Sequence, residues 1–178
     1  MKKLALNELN RPDLDTYRAL KKHQLIIVLD NIRSLHNVGS IFRTADAFLI
    51  KELFLCGITG QPPHKDIHKT ALGATESVKW RYYKDIEDGL KVLKDSNYTI
   101  YAVEQTNKSI NLMDFKPDSD AKIAFVFGNE VHGVSDAVVS NADYAIEIPQ
   151  YGTKHSFNVA VSTGIILWDY MCKASQKE

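Results

Sequence analysis

The sequence predicts an α/β domain: a mostly parallel sheet flanked by helices. Three observations predict it. Short apolar runs at 25–30, 52–57, 98–105, 122–128 and 145–149 alternate with segments of helical periodicity. Those runs are almost continuously apolar, as strands covered on both faces must be. The loops that follow them are the most polar and glycine-bearing parts of the chain, and ligands of open parallel sheets bind beyond the carboxyl ends of the strands.

LIIVLD (25–30) is rich in β-branched residues and reads as a buried strand. NVGSIFRTADAF (37–48) places Val38, Ile41, Ala45 and Phe48 at helical spacing, with Asn37 as its cap. ELFLCG (52–57) is a second strand ended by glycine, and the Gly/Pro-rich GITGQPPHKD (57–66) is a loop before a short helix at 66–73. VKWRYY (78–83) alternates in polarity like an edge strand. DIEDGLKVLKDSN (85–97) is an amphipathic helix with Ile86, Leu90 and Leu93 on one face. Strands at 98–105 and 122–128, a short helix from about 135, a last strand at 145–149 and a final apolar helix complete the pattern.

The chain has 178 residues, enough for one domain with a sizeable core. The net charge is +0, from 22 basic and 22 acidic residues. That excludes a protein that coats nucleic acid through bulk charge, though not one with a local basic patch. Cys56 and Cys172 lie far apart in apolar settings and read as buried, reduced thiols. MKKLALNELN is too short an apolar stretch for a signal peptide, and no run approaches a membrane span. The expectation is a cytoplasmic protein.

Three usual nucleotide or acyl-enzyme signatures are missing. No GxGxxG follows a strand, and neither GxxxxGK nor GxSxG occurs. His64 and His68 stand four apart in HKDIHK, but no HExxH pattern or third ligand accompanies them, so no metal site is expected. With Lys65, Lys69, Lys79, Arg81 and Lys84 they form the best candidate phosphate-contacting patch. Trp80, Tyr82 and Tyr83 interleave with it and read as edge-strand packing. Gly128-Asn-Glu-Val-His-Gly133 is a glycine-flanked turn that permits close backbone approach to a ligand. Ser156 and Asn158 open the final helix, with Ser156 a candidate cap.

Three segments together carry a resemblance. NVGSIFRTADAF (37–48), IAFVFGNEVHGVS (123–135) and IPQYGTKHSFNVAVSTGIIL (148–167) resemble, in order and spacing, the three motifs of the SpoU/TrmH branch of the SPOUT RNA methyltransferases. The resemblance covers roughly residues 24–172. It implies a C-terminal deep trefoil knot in the sheet domain, a homodimer, and S-adenosylmethionine-dependent methylation of a ribose 2′-hydroxyl in tRNA or rRNA. It divides the chain into a short extension over 1–23 and a methyltransferase domain over 24–178.

Matched position by position, the resemblance implies that Arg43, Asn37, Glu130, Ser156 and Asn158 are the catalytic and site-supporting residues. It puts the cofactor against Gly128, Ile148 and Phe157, with Phe127, Pro149 and Glu104-Gln105-Thr106 beside them. The family often has Met where Gln150 stands and Leu where Phe157 stands. The separate RNA-binding domain of some relatives has no counterpart, which favours tRNA over rRNA. RNA contacts are then expected from Arg33, His36, His64, Lys65, Lys69, Lys154 and His155. Two alternatives remain open: an inactive knotted RNA-binding protein, and a ribosomal antibiotic-resistance methylase of the same family. The final helix, with Gly164, Trp168 and Tyr170, is a candidate dimer face.

Overall fold

A computed structural model describes residues 1–118 and 121–174; the last four residues of the expected 24–178 domain lie outside them. Seven parallel strands form one sheet in the order β3-β2-β1-β6-β4-β7-β5. The strands are β1 (His23–Asp30), β2 (Ile50–Cys56), β3 (Trp80–Tyr83), β4 (Thr99–Val103), β5 (Ile110–Asn111), β6 (Ile123–Phe127) and β7 (Tyr144–Glu147). The helices are α1 (Leu14–Ala19), α2 (Leu35–Ala47), α3 (Lys65–Ala71), α4 (Ala74–Ser77), α5 (Ile86–Asp95), α6 (Asp136–Asn141) and α7 (Val159–Ala174).

The near-continuous apolar runs have a direct cause. Leu25, Ile27 and Leu29 of β1 face a core shared with α2, α3, α4 and α7. Ile26 and Val28 face the opposite core, closed by α5 and α6. Both faces of the strand are buried, so both parities must be apolar. β1 pairs with β2 on one side and β6 on the other. The chain therefore winds outward through β2 and β3, then crosses to the other half of the sheet. Ligand sites of such sheets form at this reversal.

The expected elements sit within a few residues of the observed ones, with four differences. The helix predicted at 66–73 breaks into α3 and α4, because Leu72 (φ 49°) and Gly73 (φ 89°) are left-handed. Asn37 is not the cap of α2; Ser34 is, its Oγ accepting from the Asn37 N–H at 3.2 Å. Ser156 is not the cap of α7; the Asn158 Oδ1 accepts from the N–H groups of Ala160 (2.9 Å) and Val161 (3.4 Å). Finally, α1 and the two-residue β5 had no counterpart in the sequence reading. Cys56 is buried and Cys172 half-buried, and neither is in a disulfide.

Candidate active site

The loops that follow β1, β6 and β7 meet in one hydrogen-bonded clasp. The Glu130 carboxylate is its centre. Oε2 accepts from the Arg33 N–H at 3.0 Å. Oε1 accepts from the Ser34 N–H at 3.1 Å and the Asn37 Nδ2 at 3.0 Å. Asn37 Oδ1 in turn accepts from Asn158 Nδ2 at 3.1 Å. Each residue depends on local structure for its placement. Ser34 caps α2, which frees the Asn37 side chain to bridge from the first turn. The carboxylate rests at the α2 N-terminus, where unpaired N–H groups and the helix dipole favour an anion. Burial alone would push the Glu130 carboxyl up; the N–H groups of Arg33, Glu130 and Ser34 and the Asn37 amide outweigh it and hold it below its ordinary value.

A second layer of polar groups fixes the loops from beneath. Asp30 is 1% exposed; its Oδ2 accepts from the Ser135 N–H and its Oδ1 from Asn31 Nδ2, both at 2.7 Å. Asn129 donates to the Asn31 carbonyl at 2.7 Å and accepts from the Val131 and His132 N–H groups. Asn31 itself is left-handed (φ 57°) and accepts from the Ile58 N–H. Glu104 accepts from the N–H groups of Gln105 (2.9 Å) and Val134 (3.1 Å). Sequence reasoning missed Asp30, Asn31 and Asn129. The available signal was a polar pair directly after the apolar run 25–29, at a strand's carboxyl end.

Gly128 allows the loop to fold onto itself: a Cβ there would lie 2.1 Å from Gly133 C and Val134 N. The close neighbour at this turn is the protein's own backbone.

Beside the clasp opens a cavity of about 580 Å³. Of the expected cofactor residues, Gly128, Ile148, Phe157, Phe127, Glu104 and Gln105 line it; Pro149 and Thr106 do not. Glu130, Ser156, Asn158 and His155 line it as well. Apolar walls from Phe127, Ile146 and Ile148 stand opposite polar groups, a composition and size that suit an adenosyl-type ligand. The strand-end segment 150–155 is held over it, with Gln105 Nε2 donating to the His155 carbonyl at 3.2 Å.

Arg43 stands apart from this cavity. It is exposed on α2, and among the described residues its guanidinium has no hydrogen bond or ion pair. At roughly 100° per residue it is turned about 120° from Asn37 and lies about 9 Å further along the axis. The α7 start is therefore linked through Asn37 to Glu130 and not to Arg43. Ser156 also has no hydrogen bond among the described residues and is exposed.

The candidate RNA-contacting residues divide. The Arg33 side chain and Lys154 are exposed near the clasp. His36 lies 4.0 Å from Asp66, and Lys69 pairs with the same carboxylate at 2.8 Å. His64 Nδ1 accepts from the Asp66 N–H and so caps α3. His64, Lys65, His68 and Trp80 line a separate cavity of about 580 Å³. Arg81 is paired with Glu52, which removes it from the patch as a free cation. Among the described residues, no group of three or more His, Cys, Asp or Glu converges as a metal site.

Comparison with known proteins gives a consistent result. Residues 24–168 match the SpoU rRNA Methylase family. A tRNA (guanosine(18)-2′-O)-methyltransferase of Thermus thermophilus is 31% identical over 163 residues, covering 91% of this chain and 81% of its own length. The crystal structure of the Aquifex aeolicus TrmH/SpoU tRNA modifying enzyme superposes with a TM-score of 0.80 at 30% identity, covering 92% of this chain and 83% of that one. The AdoMet-bound rRNA methyltransferase of Sinorhizobium meliloti has the same fold: TM-score 0.78, 23% identity, 90% of this chain and 60% of that one covered.

Proposed function

Because the chain belongs to the SpoU RNA methylase family and has its knotted α/β fold, we propose that it transfers a methyl group from S-adenosylmethionine to a ribose 2′-hydroxyl of RNA. The observation that carries the reading is the clasp of Glu130, Asn37 and Asn158, which joins the three motif segments at the edge of a cofactor-sized cavity. The residues present fit the cofactor. Phe127, Gly128, Ile148 and Phe157 would hold it, largely through backbone, with Glu104 and Gln105 at one end. When bound it supplies a methyl group activated by the adjoining sulfonium.

The protein's own part is orientation and charge. A ribose hydroxyl is a poor nucleophile and must lose its proton as it attacks; water or an RNA phosphate oxygen would accept that proton. A guanidinium is a poor base and a good anion partner, so the role of Arg43 is to stabilise the developing alkoxide and to hold a neighbouring phosphate. Having no side-chain partner among the described residues, it is available for both. Glu130 does not act as a base in this scheme: three donors already occupy its oxygens. It positions the 33–37 loop, and Asn37 passes that order on to Asn158. Ser156, on the cavity wall, is available to the substrate.

We assign the domain to 24–178, with 1–23 as an extension, and take tRNA as the preferred substrate. Arg33, His36, His64, Lys65, Lys69, Lys154 and His155 would contact it. The enzyme would act as a homodimer. Val161 (51% exposed) and Trp168 (64%) are seven apart on α7, and Gly164 between them has open space beside it. Such a stripe of exposed apolar surface suits a second copy. No helix among the described residues is long and apolar enough to cross a membrane, and the reading puts the enzyme in the cytoplasm with its RNA.

The test incubates the protein with methyl-labelled cofactor and separate unmodified tRNA and rRNA pools, then maps the modified ribose. Label in 2′-O-methyl nucleotides of tRNA supports the reading. Label only in bases overturns it, and cofactor-independent RNA binding without transfer points to a binding protein instead.

A further inference from the structure

The site described above leaves the far end of the sheet unused. There, a groove of about 820 Å³ opens between α1, the starts of β2 and β3, and α4. Arg18, Lys22, Lys51, Lys79 and Arg81 line it, against the carboxylates of Glu52 and Glu76. In a chain of net charge +0 this is a local concentration of cations.

How these cations are held matters more than their number. Only Arg81 is closely paired, forked onto Glu52 at 2.7 and 2.8 Å. Lys22 donates to the Tyr17 carbonyl at 2.5 Å and lies 3.2 Å from the Tyr17 ring centre. Lys51 donates to Gln24 Oε1 and the Tyr98 hydroxyl, both at 2.9 Å. Arg18 donates to the Glu76 carbonyl at 2.9 Å, with Asp15 no nearer than 3.9 Å. Lys79 is exposed, and its ammonium has no hydrogen bond or ion pair among the described residues. Neutral acceptors thus bind Lys22, Lys51 and Arg18 directly, while Asp46 near Lys22 and Asp15 near Arg18 offset only part of their charge; the surplus is what an anion-binding surface requires.

The groove is also continuous with a second feature. Glu76 lines both it and the cavity that holds Trp80. At the other end of that cavity stand His64 and Lys65, after the loop that follows β2. Two clusters of cations, with Glu76 and Trp80 between them, therefore form one track along the β3 edge from the catalytic end of the sheet to the opposite end. β1 has eight residues and spans roughly 23 Å at about 3.3 Å per residue, which sets the length of the track.

We propose that this track binds the phosphodiester backbone of the substrate RNA remote from the reacting ribose. The proposal rests on the RNA-methylating reading above. It makes the enzyme a reader of folded RNA of sufficient length, with phosphates held at both ends of the sheet.

Lys79→Glu, and Lys79→Glu combined with Arg18→Glu, test it; Lys79→Arg is the conservative control. The probe is a pool of unmodified tRNA transcripts, with binding measured between about 50 and 200 mM salt. The double variant is expected to bind at least tenfold more weakly at the low-salt end. Its log–log salt dependence should be shallower by about one to two units, since each lost phosphate contact removes roughly one. Lys79→Arg should retain wild-type affinity. S-adenosylmethionine affinity, melting temperature and the rate at saturating RNA should be unchanged. Unchanged RNA affinity and salt slope in the double variant overturn the proposal. So does a change in oligomeric mass by light scattering, which would make the groove a protein interface. Binding is read without turnover, so the two readings fail separately: a wild type without transfer activity sinks the enzyme assignment while leaving the groove result intact.

Discussion

Glu130 stands where the resemblance expects a site-supporting residue, and its carboxylate gathers three donors from the α2 end of the site. Its place in a glycine-flanked turn was legible in the sequence. Its three partners were not, because two are backbone N–H groups almost a hundred residues upstream. Replacing it with Gln keeps one acceptor oxygen but removes the charge that the α2 N-terminus favours. We expect Glu130→Gln to lower kcat at least tenfold while leaving the melting temperature within a few degrees, since the group is exposed and its hydrogen bonds are solvent-weakened. A wild-type kcat would refute the clasp as a positioning device. The carboxyl is held below its ordinary value, which fixes the sign of a pH effect. Its contribution is complete above the ordinary glutamate value of about 4.3 and is lost as pH falls through the lower folded-state value. Unfolding stability should therefore fall on acidification by a small step that Glu130→Gln lacks, read as the pH dependence of the denaturant midpoint. Arg43 makes a separate prediction. Arg43→Ala should abolish transfer, by about 100-fold or more, yet bind S-adenosylmethionine as the wild type does by calorimetry. Cys56 is a control on the fold: burial, with a contribution from Asp30, pushes its thiol up to about 12, so a thiol reagent at neutral pH should leave it unmodified until the chain unfolds.

Among the elements, α2 and α7 show where periodicity succeeds and where it fails. Val38, Ile41 and Ala45 were visible as a core face because a 3.6-residue repeat is a property of the local sequence. The cap was misplaced by three residues because Ser34 and Asn37 are both good caps, and only Glu130, from another loop, decides between them. The cap of α7 differs by two residues, Asn158 for Ser156, and there the distant partner is Asn37. Two glycines test the packing. At Gly39 a Cβ would stand 2.1 Å from Thr70 Oγ1 and 2.3 Å from the Ile67 carbonyl, between α2 and α3. Gly39→Ala should cost about 1–3 kcal/mol in denaturant unfolding, the usual range for overpacking. At Gly164 nothing lies within 4 Å, so no neighbour among the described residues needs the missing Cβ. Gly164→Ala should then raise helix stability by up to about 1 kcal/mol. If α7 is the dimer face, the same change should weaken dimerisation in sedimentation measured across a dilution series.

For the whole molecule, the class of fold was legible and its order was not. Apolar runs such as LIIVLD state that a strand is covered on both faces, because β1 sends alternate residues into two cores. They do not state which strand lies beside which. The placement of β6 between β1 and β4 depends on long-range pairing that no local pattern encodes. β5 escaped notice because two residues carry no period. The knot entered only through the resemblance. The basic residues of the far groove were legible singly, as Lys79 and Arg81 beside Trp80, but their assembly with Arg18, Lys22 and Lys51 needed the sheet to bring four elements together.

The clasp also has a meaning in time. Its last hydrogen bond joins residues 121 apart, Asn37 near the beginning and Asn158 near the end. Domains made on the ribosome organise from the N-terminus onward, and contacts so far separated close late. A chain that has formed its sheet but not yet seated its final helix therefore has α2 and Glu130 in place and no completed site. Such a chain cannot hold its cofactor against an ordered loop. Competence is thus tied to the end of folding, and binding of the cofactor would serve as a readout that the last segment has arrived.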